Sequence, residues 1–245
     1  MTAPTLLLIH GFLDAASVWD GFVDAIGGEL ATVRYELPGF GDRRGSADAA
    51  AVTLETLAAE AGAVLGGIDG PVIVVGQSLG TQVAELVAAQ HPTQVRGLVL
   101  ITPVPLGGTR LPDDAIAPFK ALGGDREGQR AARMALSPHL DPKRLDALVT
   151  LGSLVDPDVA AHYVDVWNDG LHDAPPRSGY QGPVLIVRGG SDGFVTEQLV
   201  DDISPRFYGA ELEVVDAGGH WVHVEYPDAV AAAVLDFADS VTATA

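Results

Sequence analysis

A serine, an aspartate and a histidine each follow an apolar run that is typical of a buried β-strand. They are Ser78, Asp192 and His220, which follow the runs at 72–75, 183–188 and 212–215. A serine hydroxyl is a poor nucleophile near neutral pH, and it reacts when a neighbouring histidine accepts its proton and a carboxylate orients that histidine. These residue types therefore predict nucleophilic catalysis, with Ser78 as nucleophile, His220 as acid and base, and Asp192 as the orienting acid.

The serine lies in the segment Gly-Gln-Ser-Leu-Gly at 76–80, between its apolar run and a segment with helical spacing of apolar residues. A strand that turns into a helix within one or two residues passes through a strained corner, and Gly76 and Gly80 remove the Cβ atoms that would collide there. The pattern is that of a nucleophile elbow, which lifts the serine hydroxyl clear of the sheet. The alternative is a glycine-rich turn in which Ser78 only caps the helix.

Strands and helices alternate along most of the chain. Predicted strands cover 5–10, 32–37, 72–75, 95–101, 183–188 and 212–215, and predicted helices cover 16–26, 53–65, the segment after Ser78, 196–203 and 227–237. This alternation predicts an α/β fold, in which a mostly parallel β-sheet carries helices on both faces. Functional groups of such a sheet gather at the carboxyl ends of its strands, where the serine, the aspartate and the histidine are found.

Residues 103–180 interrupt this alternation, because proline and aspartate become frequent and the buried strand patterns stop. Short helical patterns cover 115–122, 125–136, 145–151 and 158–167. We therefore expect one core domain made of residues 1–102 and 181–245, with a mostly helical lid (cap) insertion at 103–180.

The composition excludes several classes of function. The chain has no cysteine, so thiol nucleophiles, disulfides and cysteine-ligated metals are excluded. A net charge of −19 repels phosphate backbones, so we expect no nucleic-acid partner. The apolar runs are too short to span a bilayer, and the first residues carry no cation of a secretory signal. We therefore expect no membrane association and a cytoplasmic location.

Several motifs follow one another in the chain at predicted strand ends. They are His-Gly-Phe at 10–12, Leu-Pro-Gly-Phe-Gly at 37–41, Gly-Gln-Ser-Leu-Gly at 76–80, Gly-Gly-Ser-Asp at 189–192 and Gly-His-Trp-Val-His-Val-Glu-Tyr-Pro at 219–227. Together, in this order, they resemble the α/β-hydrolase-fold superfamily of serine hydrolases, in particular its small cap-bearing esterases and lactonases. One departure is that the first two, antiparallel strands of that fold are missing or much shortened here.

The resemblance implies an oxyanion hole made of two backbone N–H groups. One belongs to Leu79, the residue after the nucleophile, and the other to Phe12, after His-Gly. The implied activity is hydrolysis of a carboxylic ester or lactone through an acyl-enzyme, with no cofactor and no metal. The alternatives are a carbon–carbon bond hydrolase, a perhydrolase or haloperoxidase-like enzyme, and a non-catalytic ligand-binding homologue.

Other titratable residues compete for these roles. His223 is the alternative to His220, and Asp216 is the alternative to Asp192. We interpret Asp216 instead as a residue that caps its own loop. His10 is expected to be a buried histidine bonded to the backbone. The pattern His-x-x-His-x-Glu at 220–225 only loosely resembles a metal site. Asp14 and Asp42 are expected to form turns.

The partner that we expect is a small to medium, largely uncharged molecule, an apolar ester or lactone, bound in a pocket under the lid. The residues predicted to bind it are Leu13, Leu106, Trp167, Phe194 and Trp221, and further candidates for the pocket wall are Phe119 and Met134. The sequence makes no prediction of the oligomeric state.

Overall fold

The computed structural model describes residues 2–45 and 52–243, so parts of the predicted core (residue 1, 46–51 and 244–245) lie outside the described residues. Its centre is a six-stranded sheet in the order β2-β1-β3-β4-β5-β6. The strands are β1 (Thr5–Ile9), β2 (Thr32–Tyr35), β3 (Val72–Gln77), β4 (Val95–Ile101), β5 (Val184–Gly189) and β6 (Glu211–Val215). Every strand pair in this sheet is parallel, which confirms the predicted sheet.

Helices cover both faces of the sheet. The core helices are α1 (Asp20–Ile26), α2 (Leu54–Leu65), α3 (Leu79–Gln90), α8 (Glu197–Ile203), α9 (Val222–Glu225) and α10 (Pro227–Ala243), and the helices between β4 and β5 are α4 (Asp113–Lys120), α5 (Arg126–Leu136), α6 (Pro142–Gly152) and α7 (Pro157–Asp169). In β1, Leu7 and Ile9 pack on the side of α2 and α3, whereas Leu6 and Leu8 pack on the side of α1 and α10. This alternation of fully buried residues divides the core into two layers.

Several helix boundaries differ from the prediction. Helices α6 and α7 begin at Pro142 and Pro157, each preceded by an aspartate whose carboxylate accepts the first free N–H groups. The residues at 16–19 form a 3-10 turn that precedes α1. Helix α10 continues to Ala243 because Val241 extends its buried apolar stripe. Thr53 caps α2, as predicted, in a reciprocal pair of hydrogen bonds with Thr56.

The helices between β4 and β5 pack in pairs, α4 against α7 and α5 against α6. Helix α7 is attached to the core by the hydroxyl of Tyr163, which donates to the carbonyl of Pro38 at 2.7 Å. No helix among the described residues is long and apolar enough to cross a membrane.

The strand order reverses beside β1, since β2 lies on one side of it and β3 on the other. In the register of the sheet, Ile9 at the end of β1 lies opposite Gly76 near the end of β3. Loops that leave a parallel sheet at such a reversal diverge and open a crevice at the carboxyl ends of the strands. The residues after β1 and β3 therefore meet at this crevice.

Candidate active site

Ser78 stands at the corner between β3 and α3 in a conformation that non-glycine residues rarely adopt. Its backbone angles are φ 52° and ψ −124°. Its N–H donates to the carbonyl of Ile101 at 3.0 Å, and its own carbonyl accepts from the N–H of Thr81 at 2.8 Å. These bonds from a neighbouring strand and from the first turn of α3 hold a conformation that costs about 1–3 kcal/mol.

The corner is closed by glycines that touch other backbone. A Cβ added to Gly76 would lie 2.3 Å from the carbonyl oxygen of Gly80, and one added to Gly80 would lie 2.4 Å from the carbonyl oxygen of Ile9. The first contact allows the sharp turn, and the second brings β1 against the elbow. The pattern Gly-x-Ser-x-Gly thus has a steric cause at both glycines.

We predict that Gly80→Ala lowers the free energy of unfolding by about 1–3 kcal/mol, because the added methyl group must push β1 away from the start of α3. Gly66→Ala is the matched control, since its Cβ would meet the nearest atoms at 3.5 Å, an ordinary contact. Urea unfolding of both variants measures the difference. Equal stability of the two variants would show that the elbow tolerates a side chain at 80.

The structure brings Ser78, His220 and Asp192 into one hydrogen-bonded chain. The Oγ of Ser78 lies 3.0 Å from Nε2 of His220, and Nδ1 of His220 lies 2.8 Å from Oδ2 of Asp192. All three side chains are buried at the carboxyl ends of different strands. The serine can therefore lose its proton to Nε2 while the carboxylate accepts from Nδ1.

Asp192 keeps its negative charge although it is buried. Burial alone raises the pKa of its carboxyl, but the charge of His220 and the N–H groups of Phe194 and Val195 outweigh burial, and the pKa is lowered from its usual value. Those N–H groups donate to Oδ1 at 2.8 and 3.0 Å, so Oδ2 is left for the histidine. The carboxylate is thus fixed in both charge and orientation.

The loop after β1 lies directly against the elbow. A Cβ on Gly11 would lie 2.2 Å from Oε1 of Gln77 and 3.1 Å from Cβ of Ser78. In the turns, loops and caps of the described residues, neither the N–H of Phe12 nor that of Leu79 donates a hydrogen bond. Both donors are therefore available to a developing oxyanion near Ser78.

His10 is a buried histidine that is hydrogen-bonded to the backbone of this loop. Its Nδ1 lies 2.9 Å from the carbonyl oxygen of Gly11, and its Nε2 lies 3.0 Å from the N–H of Leu37. Nε2 also lies 3.0 Å from a carboxylate oxygen of Glu36. The histidine thus connects the ends of β1 and β2.

A cavity of about 50 Å³ opens beside Ser78. It is lined by Phe12, Leu13, Gln77, Ser78, Val104, Phe119, Leu122, Gln129, Ala132, Arg133, Leu136, Trp167, Phe194, His220 and Trp221. Of the predicted pocket residues, Leu106 and Met134 do not line it. Leu106 is buried in the loop after β4, where its carbonyl accepts from the N–H of Leu171, and Met134 points outward with 54% of its surface exposed.

Arg133 of α5 is a wall residue that the sequence did not single out. Its Nη1 donates to Oδ1 of Asp14 at 2.9 Å and its Nη2 to the carbonyl of Leu13 at 2.7 Å. The other oxygen of Asp14 accepts from the indole N–H of Trp221 at 2.8 Å, and the guanidinium stacks over that indole. Asp14 is therefore a buried ion-pair partner between α5 and the core, and not the turn-forming aspartate that was expected.

His223 is buried behind the site, and neither of its ring nitrogens has a partner among the residues that the structure describes. Its ring packs against Trp19. Burial lowers its pKa from 6.5 to about 4, because the loss of water around the charged form outweighs the opposing effect of the Asp14 carboxylate. The folded protein therefore favours the neutral form of His223.

We predict that stability falls with acidification because of His223. Between its folded and unfolded pKa values the unfolded chain binds a proton that the folded chain does not, so unfolding becomes easier as the pH falls. The expected loss between pH 7 and pH 5 is about 2 kcal/mol. The free energy of unfolding of His223→Leu, measured in urea, should therefore fall by about 2 kcal/mol less than that of the wild type between pH 7 and pH 5. An identical slope in both proteins would contradict a neutral His223.

The part of the chain that the structure describes holds no cluster of three or more His, Cys, Asp or Glu side chains suited to a metal ion. The second histidine of the pattern at 220–225 faces Trp19, and Glu225 accepts from the N–H groups of Gly219 and His139 instead.

Comparison with known proteins was made at the level of family, sequence and fold. The esterase YbfF of Escherichia coli is 27% identical over 164 residues, 65% of this chain and 64% of that protein, so the match spans less than two thirds of its length. The lipase LipV of Mycobacterium tuberculosis is 30% identical over 243 residues, 94% of this chain and 91% of that protein. The enol-lactonase of Burkholderia xenovorans superposes with a TM-score of 0.77 at 22% identity, over 97% of this chain and 92% of that one.

Residues 6–233 match the profile of the alpha/beta hydrolase family. The match includes the elbow, the loop after β1 and the strand ends that carry the aspartate and the histidine. The chain therefore belongs to the alpha/beta hydrolase family.

Proposed function

We propose that this protein is a serine hydrolase that cleaves carboxylic esters through an acyl-enzyme. The observation that carries the proposal is the hydrogen-bonded chain from Ser78 through His220 to Asp192, with the serine held at φ 52°. The similarity to proteins named esterase and lipase supports an ester as the substrate class. The fold shared with an enol-lactonase makes lactones the next class to test.

Acylation would begin when Nε2 of His220 takes the proton of Ser78 and Oγ attacks the carbonyl carbon. The carbonyl oxygen that becomes negative accepts hydrogen bonds from the N–H groups of Phe12 and Leu79. Each such donor stabilises the transition state by about 3–4 kcal/mol in comparable sites. His220 then gives its proton to the leaving alcohol. In the second half, His220 takes a proton from water, the hydroxide attacks the acyl group, and Ser78 regains its proton.

The cavity favours a substrate without charge. Its walls are mostly aliphatic and aromatic, and the guanidinium of Arg133 is neutralised by the carboxylate of Asp14. Among the described residues that line the cavity, an anionic substrate group would find no unpaired cation, and it would lose its water. We include in the proposal that residues 103–180 form a lid, since helices α4, α5 and α7 supply Phe119, Ala132 and Trp167 to the cavity.

The test is a comparison of kcat/KM across short neutral esters, lactones, vinylogous diketones and monoesters of dicarboxylic acids. We expect the neutral esters to have the highest kcat/KM. The monoesters, which carry a free carboxylate, should have a kcat/KM at least about tenfold lower, since burying an unpaired charge is costly. Cleavage of a diketone in preference to every ester would instead favour a carbon–carbon bond hydrolase. Tight ligand binding without turnover would contradict an enzyme.

A further inference from the structure

The cavity beside Ser78 is too small for a long substrate. Its volume of about 50 Å³ holds roughly three to five water-sized groups. An acetyl or propionyl group fills such a space. Any longer hydrocarbon chain attached to the reacting ester must therefore leave the cavity, and the direction in which it leaves is set by the walls.

A second depression of about 400 Å³ lies on the outer side of α4 and α5, and we call it the α4–α5 groove. It is lined by Pro118, Phe119, Ala121, Leu122, Asp125, Gly128, Ala132, Ala135 and Leu136. The one charged side chain among these, Asp125, is engaged at the start of α5, where its carboxylate accepts from the N–H of Gly128 at 3.0 Å. The groove is thus an apolar surface.

The groove and the cavity share part of their walls. Phe119, Leu122, Ala132 and Leu136 line both of them. Each of these shared side chains is only partly buried, so one side of it faces the cavity and the other faces the groove. These four apolar side chains therefore form a wall that the cavity and the groove have in common.

Aromatic rings line the cavity beside this shared wall. Phe119 contacts Trp167 and Phe194 edge to face at 5.8 Å between ring centroids, and Phe194 contacts the ring of His220 at 5.7 Å. A hydrocarbon chain that left the cavity between these rings and the shared side chains would contact apolar groups. Because the groove adjoins the cavity of the reacting serine across these shared side chains, the occupant that we infer is part of the substrate.

We propose that the α4–α5 groove binds the distal part of a linear hydrocarbon chain of the substrate, so that the enzyme prefers medium-chain neutral esters over acetates. This inference rests on the proposed ester hydrolysis. The chain can belong to the acyl group or to the alcohol, since either could leave the cavity by this path. Each buried methylene contributes about 0.8 kcal/mol, which is a factor of about four in kcat/KM.

The test uses two substrate series at concentrations below their solubility limits. One is p-nitrophenyl esters from acetate to octanoate, and the other is butyrate esters of methanol to octanol. We expect kcat/KM to rise at least about tenfold along one of the series, since partly exposed methylenes gain less than the full factor. A rise in the first series assigns the groove to the acyl chain and a rise in the second to the alcohol. A flat or falling profile in both series overturns the proposal.

A variant separates the groove from the cavity. Ala135 lines the groove but not the cavity, and Ala131, on the same helix, lines neither. The quantity compared is the kcat/KM of the longest ester divided by that of the shortest ester, in whichever series responds to chain length. Ala135→Trp should lower this ratio at least about tenfold, whereas Ala131→Trp should leave it within about twofold of the wild type. An unchanged ratio in Ala135→Trp overturns the proposal that the groove binds the hydrocarbon chain. A wild type that hydrolyses no ester at all defeats the proposed function instead, so the two failures are distinguishable.

Discussion

Ser78→Ala should lower kcat/KM for p-nitrophenyl butyrate by about 10⁴- to 10⁶-fold. The alanine removes the oxygen that we propose as the nucleophile, so His220 has no hydroxyl from which to take a proton. The assay is release of p-nitrophenol by enzyme freshly purified from contaminating esterases. Ser17→Ala, at an exposed serine after β1, is the control and should retain full activity.

The variant should stay folded, because alanine keeps the Cβ and both backbone hydrogen bonds of the corner. Its unfolding midpoint in urea should lie close to that of the wild type. Activity within about tenfold of the wild type would place the chemistry on another residue, since triad nucleophiles contribute several orders of magnitude.

Asp192→Asn should lower kcat by about 10⁴-fold, and the reason lies in the tautomer of His220. The N–H groups of Phe194 and Val195 both donate to one oxygen of Asp192, so an asparagine keeps its oxygen there and turns its NH₂ toward Nδ1. Nδ1 must then accept, which places the ring proton on Nε2, facing the hydroxyl of Ser78. A ring nitrogen that carries a proton cannot take another from the serine.

Asp216→Asn is the matched control for this substitution. Asp216 is an exposed aspartate at the end of β6, and it was the competing carboxylate in the sequence. We expect its kcat to stay within about twofold of the wild type, because an exposed side chain outside the hydrogen-bonded chain does not hold the histidine. A large loss in Asp216→Asn combined with a small loss in Asp192→Asn would reverse the assignment of the acid.

Much of the fold was predictable because its signals are local. Runs such as Leu6–Leu8 in β1 and Val72–Val75 in β3 are buried on both faces, and such strands show continuous apolar sequence. The helix starts at Pro142 and Pro157 were also present in the sequence as Asp-Pro pairs, but apolar spacing alone placed the first start three residues late and the second start one residue late. Helix ends therefore depend on capping more than on spacing.

The hydrogen-bonded chain at the strand ends was predictable for a related reason. Each of its members lies in the segment that follows a strand, and a parallel sheet brings such segments together without knowledge of any side-chain contact. Arg133 and Asp14 differ, since their ion pair joins α5 to the loop after β1 across 119 positions of sequence. Nothing in either local sequence indicates the other, so the position of α5 against the loop after β1 had to come from the structure.

The most direct measurement of the central claim is labelling by a fluorophosphonate, which reacts only with an activated serine. The account predicts one adduct per chain by intact mass, located at Ser78 by peptide mapping, and no adduct in Ser78→Ala or after acid unfolding. Labelling of Asp192→Asn should be slower by orders of magnitude, because its histidine cannot take the serine proton. A folded wild type that stays unlabelled, or an adduct at another serine, would contradict the account.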